Sequence, residues 1–276
     1  MPDPAPAGND ADPVLLFDIE DRVATITLNR PERRNALNGA LVAALDAAVK
    51  SAAADSAVKV VVLTGAAAEG RHGGFCAGGD VKDSRGPGME LGVPPNALDG
   101  DLARHDSHAA MLLHLMPKPT IAMVGGPAVG AGFSLAGACD FRYASDDAVF
   151  AASFTPNGLS GDYAGSIFWT HIVGTATARR LYLLNEKLGA EQAAALGMVH
   201  GVTASADLRD HVSEVAARLA KIPSELVALV KENLNNAEDE LVRRRLLFAN
   251  EANNQMLAAK AAVRRMQQKA TSAPES

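Results

Sequence analysis

The stretch Pro156 to Gly165, PNGLSGDYAG, carries a single acidic side chain, Asp162, among small and apolar neighbours. A carboxylate at such a place can accept and return a proton, or it can attack an electrophilic carbon. It can also cap the helix predicted to follow, which is worth about 1 kcal/mol. A helix N-terminus favours the ionised form, whereas burial beside Phe154, Trp169 or Phe133 would make the carboxylate a better base. Asp162 therefore predicts proton transfer or nucleophilic chemistry, with helix capping as the structural alternative.

Two glycine-rich turns follow two predicted strands: GGFCAGGD after VVVLTG, and GGPAVGAGFSL after TIAMV. Glycine allows positive φ and a close approach of a ligand to the backbone. If Ala131 opens a short helix that runs to Ala138, its N–H has no acceptor within that helix. One N–H from each turn, directed at a single point, would form an oxyanion hole. Alternatively, the glycines only end the strands and allow close packing. Neither turn matches the phosphate-binding patterns GxxxxGK[ST] or GxGxxG.

Strand and helix patterns alternate through the first two thirds of the chain, which predicts an α/β fold with parallel strand pairing. From Tyr163 onward the pattern is mostly helical and ends in a long Arg-rich helix, Glu238 to Lys269. The Gly- and Pro-rich segment Ser84 to Gly100 predicts a loop or lid. The other predicted elements are a hairpin from VLLFDIE and RVATITLN, helices Gly39 to Ala54 and Leu102 to Leu115, and strands VKVVVLTG, KPTIAMVGG, FRYAS and AVFAAS.

Composition narrows the classes of function. The chain has 276 residues, 48% of them hydrophobic and 21% charged, with a net charge of -6. This acidic balance predicts no general attraction to nucleic acid or to an anionic membrane. Two cysteines without metal-type spacing, Cys76 and Cys139, suit a reducing compartment, so we expect a cytoplasmic protein. His105, His108 and His114 lack a carboxylate partner at metal-binding spacing, so we expect no metal site.

A set of segments resembles the enoyl-CoA hydratase/isomerase (crotonase) family, and the segments occur in the order found in that family. The segments, which cover roughly residues 14 to 205, are VATITLNRPERRNALN, VVVLTG, GGFCAGGD, KPTIAMVGGPAVGAGFSLAGACDFRYAS, AVFAASFTPNGLSGD and ARRLYLLNEKLGAEQAAALGMVHGV. The resemblance implies an α/β spiral of ββα units as an acyl-CoA-binding core over 14–205. It also implies a C-terminal helical trimerisation region over 206–270. The acidic, proline-rich start MPDPAPAGNDADP and the end TSAPES predict disordered tails at 1–13 and 271–276. The expected substrate is a coenzyme A thioester, with no cofactor, and the expected assembly is a homotrimer or dimer of trimers.

The resemblance also assigns roles to residues around the two turns. The backbone N–H groups of Gly79 and Ala131 would hold the thioester oxygen. Coenzyme A would be bound by residues of the two loops and by lysines of the helical tail: Arg33, Arg34, Ala36, Ala77, Lys260 and Lys269. For Arg33 and Arg34 the alternative is a solvated turn. His72 is expected to lie on the surface.

The chain departs from the two-glutamate hydratases of this family at both glutamate positions. Ser134 stands at the first and Phe154 at the second, and neither side chain can activate water as a carboxylate does. Asp162 lies eight residues beyond Phe154, a spacing seen in dienoyl-CoA and ring isomerases and in an aryl-CoA dehalogenase. The leading hypothesis is an acyl-CoA isomerase in which Asp162 shuttles a proton.

Other hypotheses remain open: an enoyl-CoA hydratase with an atypical site, a dehalogenase or hydrolase with Asp162 as nucleophile, or a non-catalytic acyl-CoA binder. The acyl group would be enclosed by Met89 to Leu98, by Met111 to Leu115 and by a set of mostly aromatic residues. That set, with Met111, is Ser134, Phe133, Phe154 and Trp169.

Overall fold

A computed structural model describes residues 13–68, 70, 73–80 and 108–238. Several predicted features lie outside these ranges: most of the N-terminal tail, His72, the segment Ser84 to Gly100 with its acyl-pocket part Met89 to Leu98, the first residues of the helix Leu102 to Leu115, the helix Glu238 to Lys269 with Lys260 and Lys269, and the tail 271–276.

Nine strands form two sheets in the described part. They are β1 (Leu15–Glu20), β2 (Val23–Leu28), β3 (Val60–Gly65), β4 (Thr120–Val124), β5 (Ala128–Val129), β6 (Phe141–Ser145), β7 (Val149–Ala151), β8 (Lys187–Gly189) and β9 (Gly201–Thr203). The larger sheet has the order β1-β2-β3-β4-β6-β9, and the smaller one β5-β7-β8. The predicted β1–β2 hairpin is antiparallel, and every other pair in the larger sheet is parallel. The prediction of parallel pairing is therefore confirmed.

Seven α-helices connect or cover these strands in the described ranges. They are α1 (Gly39–Ala54), α2 (Ala109–Leu115), α3 (Ala131–Ala138), α4 (Gly165–Leu183), α5 (Ala190–Ala195), α6 (Leu208–Ala220) and α7 (Ser224–Glu238). Asn38 caps α1 by accepting a hydrogen bond from the Leu41 N–H (3.0 Å), and Leu41, Leu45 and Val49 are buried at helical spacing. Within those ranges, no helix has both the length and the apolar character needed to cross a membrane.

The central strands β3 and β4 of the larger sheet are buried on both faces, as the continuous apolar run VVVLTG predicts for β3. Val61 and Leu63 of β3 point into the main core on the side of α1, whereas Val60 and Val62 pack with side chains of α6 on the other side. Each such fully buried side chain contributes about 1.5–3 kcal/mol. The first helix of the C-terminal region thus packs on the core of its own chain.

The region after Tyr163 contains more than the predicted helices. Two strands of three residues each, β8 and β9, extend the two sheets. β8 pairs with β7, and β9 pairs with β6, both far away in sequence. Strands this short show no periodicity of their own, so their pairing depends on partners that the local pattern does not reveal.

His200, which precedes β9, is expected to make stability depend on pH. Its Nδ1 accepts a hydrogen bond from the Arg142 N–H (3.1 Å). Partial burial, together with the positive charge of Arg142, lowers the pKa of His200 below 6.5. As the pH falls, the unfolded chain binds this proton first, so stability is complete above about pH 6.5 and decreases below it. Urea unfolding between pH 8 and 5 should show a smaller acid loss for His200→Gln than for the wild type. Parallel profiles would contradict this.

Candidate active site

The two glycine-rich turns touch each other through their backbones. Gly78 has a φ of 93°, and a Cβ atom there would lie 2.9 Å from the Val129 carbonyl oxygen and 3.6 Å from the Ala131 nitrogen. A Cβ atom on Gly132 would overlap the carbonyl oxygen of Cys76. Side chains at these positions would force the turns apart, so the glycines are required for the approach.

This contact brings together the two predicted N–H donors, Gly79 and Ala131. Ala131 opens α3, as predicted. Among the described residues, neither N–H donates a hydrogen bond. The peptide groups on either side of Gly79 are both bonded to Leu37: the Leu37 N–H donates to the Gly78 oxygen, and the Asp80 N–H donates to the Leu37 oxygen (both 2.8 Å). The Gly79 N–H belongs to the same trans peptide as the Gly78 oxygen and points in the opposite direction, so it faces away from Leu37.

Gly132→Ala is expected to destabilise the protein by about 1–3 kcal/mol and to lower its activity, because the added methyl group overpacks the contact with Cys76. Gly39→Ala is the matched control, since within the described ranges a Cβ atom at Gly39 would have no atom within 4 Å apart from its chain neighbours and its own helix backbone. Thermal unfolding of both variants measures the effect. Equal melting temperatures for the two variants would show that the turns do not need this close approach.

Asp162 lies beside the first turn of α3. The Ser134 hydroxyl is 3.4 Å from Asp162 Oδ1 and 3.4 Å from the Gly130 carbonyl oxygen. Ser134 is fully buried and Asp162 is partly buried. The structure therefore places the carboxylate beside Ser134, which lies one helical turn after Ala131 in α3.

The helix-cap interpretation of Asp162 is wrong. Helix α4 begins at Gly165, and its N-cap position is occupied by Ala164. Tyr163 and Ala164 both have left-handed backbone conformations, with φ of 50° and 56°. These two residues turn the chain between Asp162 and the helix, so the carboxylate does not occupy the capping position.

Cys76 and Tyr163, whose pKa values respond to the charge of Asp162, are both neutral at physiological pH. Burial, with a smaller contribution from the charge of Asp162, raises the pKa of Cys76 to about 12 against the lowering effect of a backbone hydrogen bond from Gly78. Burial and then the charge of Asp162 raise the pKa of Tyr163 well above 10. The Tyr163 hydroxyl is buried without a hydrogen-bond partner in the described part of the chain, and its ring lies 4.3 Å from that of His108. Sequence reasoning overlooked Tyr163, although its position directly after Asp162 marked it.

The aromatic residues predicted for the acyl pocket form one cluster between α3 and α4. Phe133 stacks on Trp169 (4.3 Å between ring centroids), and the Trp169 Nε1–H donates to the Phe133 oxygen (3.0 Å). Phe154 stacks on Tyr182 (5.9 Å), which in turn neighbours Phe133 (6.1 Å). Phe133 and Trp169 are fully buried, so they hold the two helices together; contact of the cluster with an acyl group stays a prediction. Met111 is buried in α2 as part of the same core.

The described residues predicted to bind coenzyme A lie on two loops that are hydrogen-bonded to each other. Arg33 and Arg34 are exposed at the end of a short 3₁₀ turn. The Ala77 N–H donates to the Arg34 oxygen (3.0 Å), and Ala36 follows on the same segment. The structure thus brings Arg34, Ala36 and Ala77 to the same edge as Gly79.

Sequence reasoning also overlooked an ion pair beneath these loops. Arg30 Nη2 lies 3.0 Å from Asp80 Oδ2, and both side chains are largely buried. Arg30 follows β2 and Asp80 follows Gly79, so opposite charges stand on the turns after two neighbouring parallel strands. Turns that follow neighbouring parallel strands meet at one edge of the sheet, so the opposite charges of these two residues could have indicated the ion pair.

Comparison with known proteins points to one family and several activities. A family model described as enoyl-CoA hydratase/isomerase matches residues 18–272. The chain is 36% identical over 228 residues to 1,2-epoxyphenylacetyl-CoA isomerase of Escherichia coli, covering 81% of this chain and 82% of that protein. It is 32% identical over 223 residues to 4-chlorobenzoyl coenzyme A dehalogenase-1 of an Arthrobacter species, covering 80% and 77%.

Solved structures agree. An enoyl-CoA hydratase from Mycobacterium avium subsp. paratuberculosis matches with a TM-score of 0.75 and 31% identity, over 93% of this chain and 95% of that one. This likeness confirms the crotonase-like fold. With a family model across most of its length and relatives above 30% identity over about four fifths of it, the chain belongs to the enoyl-CoA hydratase/isomerase (crotonase) family of enzymes, which act on coenzyme A thioesters.

Proposed function

We propose that the chain is an acyl-CoA isomerase of the Asp-base type. The observation that carries this proposal is the position of Asp162, whose Oδ1 lies 3.4 Å from the Ser134 hydroxyl in the first turn of α3. That turn begins with Ala131, whose N–H donates no hydrogen bond within the described residues. The similarity to 1,2-epoxyphenylacetyl-CoA isomerase agrees with this type of reaction.

The chemistry follows from two backbone donors and one carboxylate. The N–H groups of Gly79 and Ala131 would bind the thioester oxygen and stabilise the negative charge that develops when a proton leaves the neighbouring carbon. Asp162 would remove that proton and return it to another carbon of the acyl group. Ser134 and Phe154 replace the two glutamates that a hydratase of this family uses to activate water, so proton transfer by one carboxylate fits these residues better.

Isomerisation can be tested directly in deuterium oxide with a panel of unsaturated aliphatic and aromatic acyl-CoA thioesters. We expect a product that differs from the substrate only in a shifted double bond and in deuterium at the exchanged carbon. NMR and mass spectrometry detect both changes. A product heavier by one water would instead identify a hydratase. Tight binding without any turnover across the panel would identify an acyl-CoA-binding protein.

A second candidate is a dehalogenase in which Asp162 attacks an aromatic carbon. The similarity to 4-chlorobenzoyl coenzyme A dehalogenase-1 favours it, because one carboxylate also suffices for this chemistry. The Asp162 carboxylate would attack the halogen-bearing carbon of the substrate to form an aryl ester, and the halide would leave. Water would then cleave that ester. A single turnover with a haloaryl-CoA, followed by acid quench and mass spectrometry of the Asp162 peptide, distinguishes this candidate. A covalent adduct supports it, and an unmodified peptide supports the isomerase.

Binding of coenzyme A by the loop backbone at Arg34, Ala36 and Ala77, with help from Arg33, Lys260 and Lys269, belongs to the same proposal. So does a trimer or dimer of trimers formed through the C-terminal helices. Helix α7 supports this second point, because it exposes a row of apolar side chains: Leu226, Leu229, Val230 and Leu234. Light scattering of Leu229→Glu should show a smaller assembly than that of the wild type.

A further inference from the structure

The buried ion pair between Arg30 and Asp80 lies directly beside one of the two N–H donors. Its side chains are exposed by only 12% and 6%. Burying two charges costs much of what their attraction returns, so such a pair is weak evidence for stability as such. The pair also constrains the geometry of the residues around it.

Arg30 contacts both loops of the site. Nη2 faces the Asp80 carboxylate, and Nη1 donates to the Ala36 oxygen (2.6 Å). The Arg30 N–H donates to the Asn35 side-chain oxygen (3.0 Å), which anchors the arginine at its own backbone. The guanidinium fork therefore joins two segments: its Nη2 forms an ion pair with the carboxylate after Gly79, and its Nη1 hydrogen bond holds the segment that runs from Arg34 to Leu37.

Asp80 carries this constraint into the backbone. Its N–H donates to the Leu37 oxygen, and the Gly78 oxygen accepts from the Leu37 N–H (both 2.8 Å). Gly79 lies between these two bonded peptide groups. The Gly79 N–H belongs to the same peptide group as the Gly78 oxygen, so the bond from Leu37 sets its direction. A displacement of Asp80 would shift Leu37 and, through Leu37, the direction of this N–H.

We propose that Arg30 and Asp80 are positioning residues, which together hold the Gly79 N–H in the direction that binds the thioester oxygen. The inference rests on the proposed function, because it presupposes that this N–H is an oxyanion donor. Displacement of a catalytic group by about 1 Å can cost about a hundred-fold in rate. Loss of the pair should therefore reduce kcat more than it raises KM, since the oxygen carries most charge in the transition state.

The test compares Asp80→Asn, Arg30→Lys and the double variant with the wild type. The first readout is the infrared carbonyl frequency of bound phenylacetyl-CoA with an isotope-labelled thioester carbonyl, because an oxyanion hole lowers that frequency. The second is kcat and KM for the acyl-CoA that undergoes proton exchange. We expect a smaller frequency shift, a kcat reduced about 10- to 100-fold, and KM within about threefold of the wild type. The double variant should lose no more than the more affected single variant, because the two residues act as one unit.

Glu186→Gln is the matched control, because it breaks a partly exposed ion pair with Arg180 (2.8 Å) that includes neither Arg30 nor Asp80. It should leave both readouts unchanged. A wild-type frequency shift that persists in folded Asp80→Asn would overturn the positioning role. Absence of any shift in the wild type would instead overturn the oxyanion hole, and with it the proposed function. If Asp80→Asn does not fold, the same frequency and rate comparison is made with Arg30→Lys, since lysine keeps the positive charge but lacks the guanidinium group.

Discussion

Asp162→Asn is expected to abolish exchange of the acyl proton with solvent deuterium and to slow isomerisation about a hundred- to ten-thousand-fold, the range typical of a lost acid–base group. The amide has the size and shape of the carboxylate, so Ser134 keeps a neighbour at the same place, but it cannot take up a proton at neutral pH. Binding of the acyl-CoA should stay within a few-fold of the wild type, because the thioester oxygen is held by backbone groups. NMR exchange rates and isothermal titration measure the two quantities separately.

Ser134→Ala is the matched control for this experiment. Ser134 is buried, and among the described residues its hydroxyl makes only long contacts of 3.4 Å, to Asp162 and to Gly130. Its loss should cost less than about tenfold in rate, since a weak neutral hydrogen bond contributes about 1 kcal/mol. Wild-type exchange rates in Asp162→Asn would rule out the proton shuttle. An equal loss in both variants would assign Asp162 a structural role.

Lys231→Met is expected to lower the free energy of unfolding by about 3–5 kcal/mol. Lys231 extends from α7 into the core with 6% exposure. Its Nζ donates to Asp140 Oδ2 (2.7 Å) and to the carbonyl oxygens of Leu113 (3.1 Å) and Lys118 (3.0 Å). Methionine fills a similar volume but leaves all three acceptors without this donor. Urea unfolding measures the loss.

Lys59→Met serves as the comparison, because Lys59 makes one exposed contact of 3.4 Å to the Ile222 oxygen. It should change stability by less than about 1 kcal/mol. Adding Asp140→Asn to Lys231→Met should recover part of the loss, because the uncompensated charge is then removed. Equal losses from the two lysine variants would show that the buried ion pair does not anchor α7.

Elements with a strong local pattern were predicted with accurate bounds. Gly39–Ala54 is a helix because a cap and a regular apolar stripe coincide, and Ala131–Ala138 begins where a glycine turn releases the chain. Strands β8 and β9 were overlooked, since three residues contain no pattern and gain stability only from distant partners. The capping interpretation of Asp162 failed for a different reason. Tyr163 and Ala164 adopt left-handed backbone angles, which are uncommon for these residue types, so the local sequence does not predict that the helix begins only at Gly165.

The candidate site divides in the same way. The glycine turns, Ala131 at a helix start and Asp162 as the acid were all visible as residue types in order. The ion pair of Arg30 with Asp80 was indicated only by opposite charges on two turns, and the sequence does not show that these two side chains meet. The stack of Phe154 on Tyr182 was not visible, because it joins segments far apart in sequence. In this stack Phe154, which the family resemblance aligns with a hydratase glutamate, is an aromatic ring packed in the core.

The sequence by itself determined the family and the chemical groups on offer: one carboxylate at Asp162, no carboxylate at Ser134 or Phe154, and glycine where the backbone must come close. These follow from residue type and local spacing, which the chain carries without folding. The tertiary structure decided that the Gly78 and Ala131 backbones touch, and that Asp162 lies beside Ser134. These contacts depend on how the sheets and helices pack together. The free energy of folding is a sum over the whole core, and no local segment contains that core.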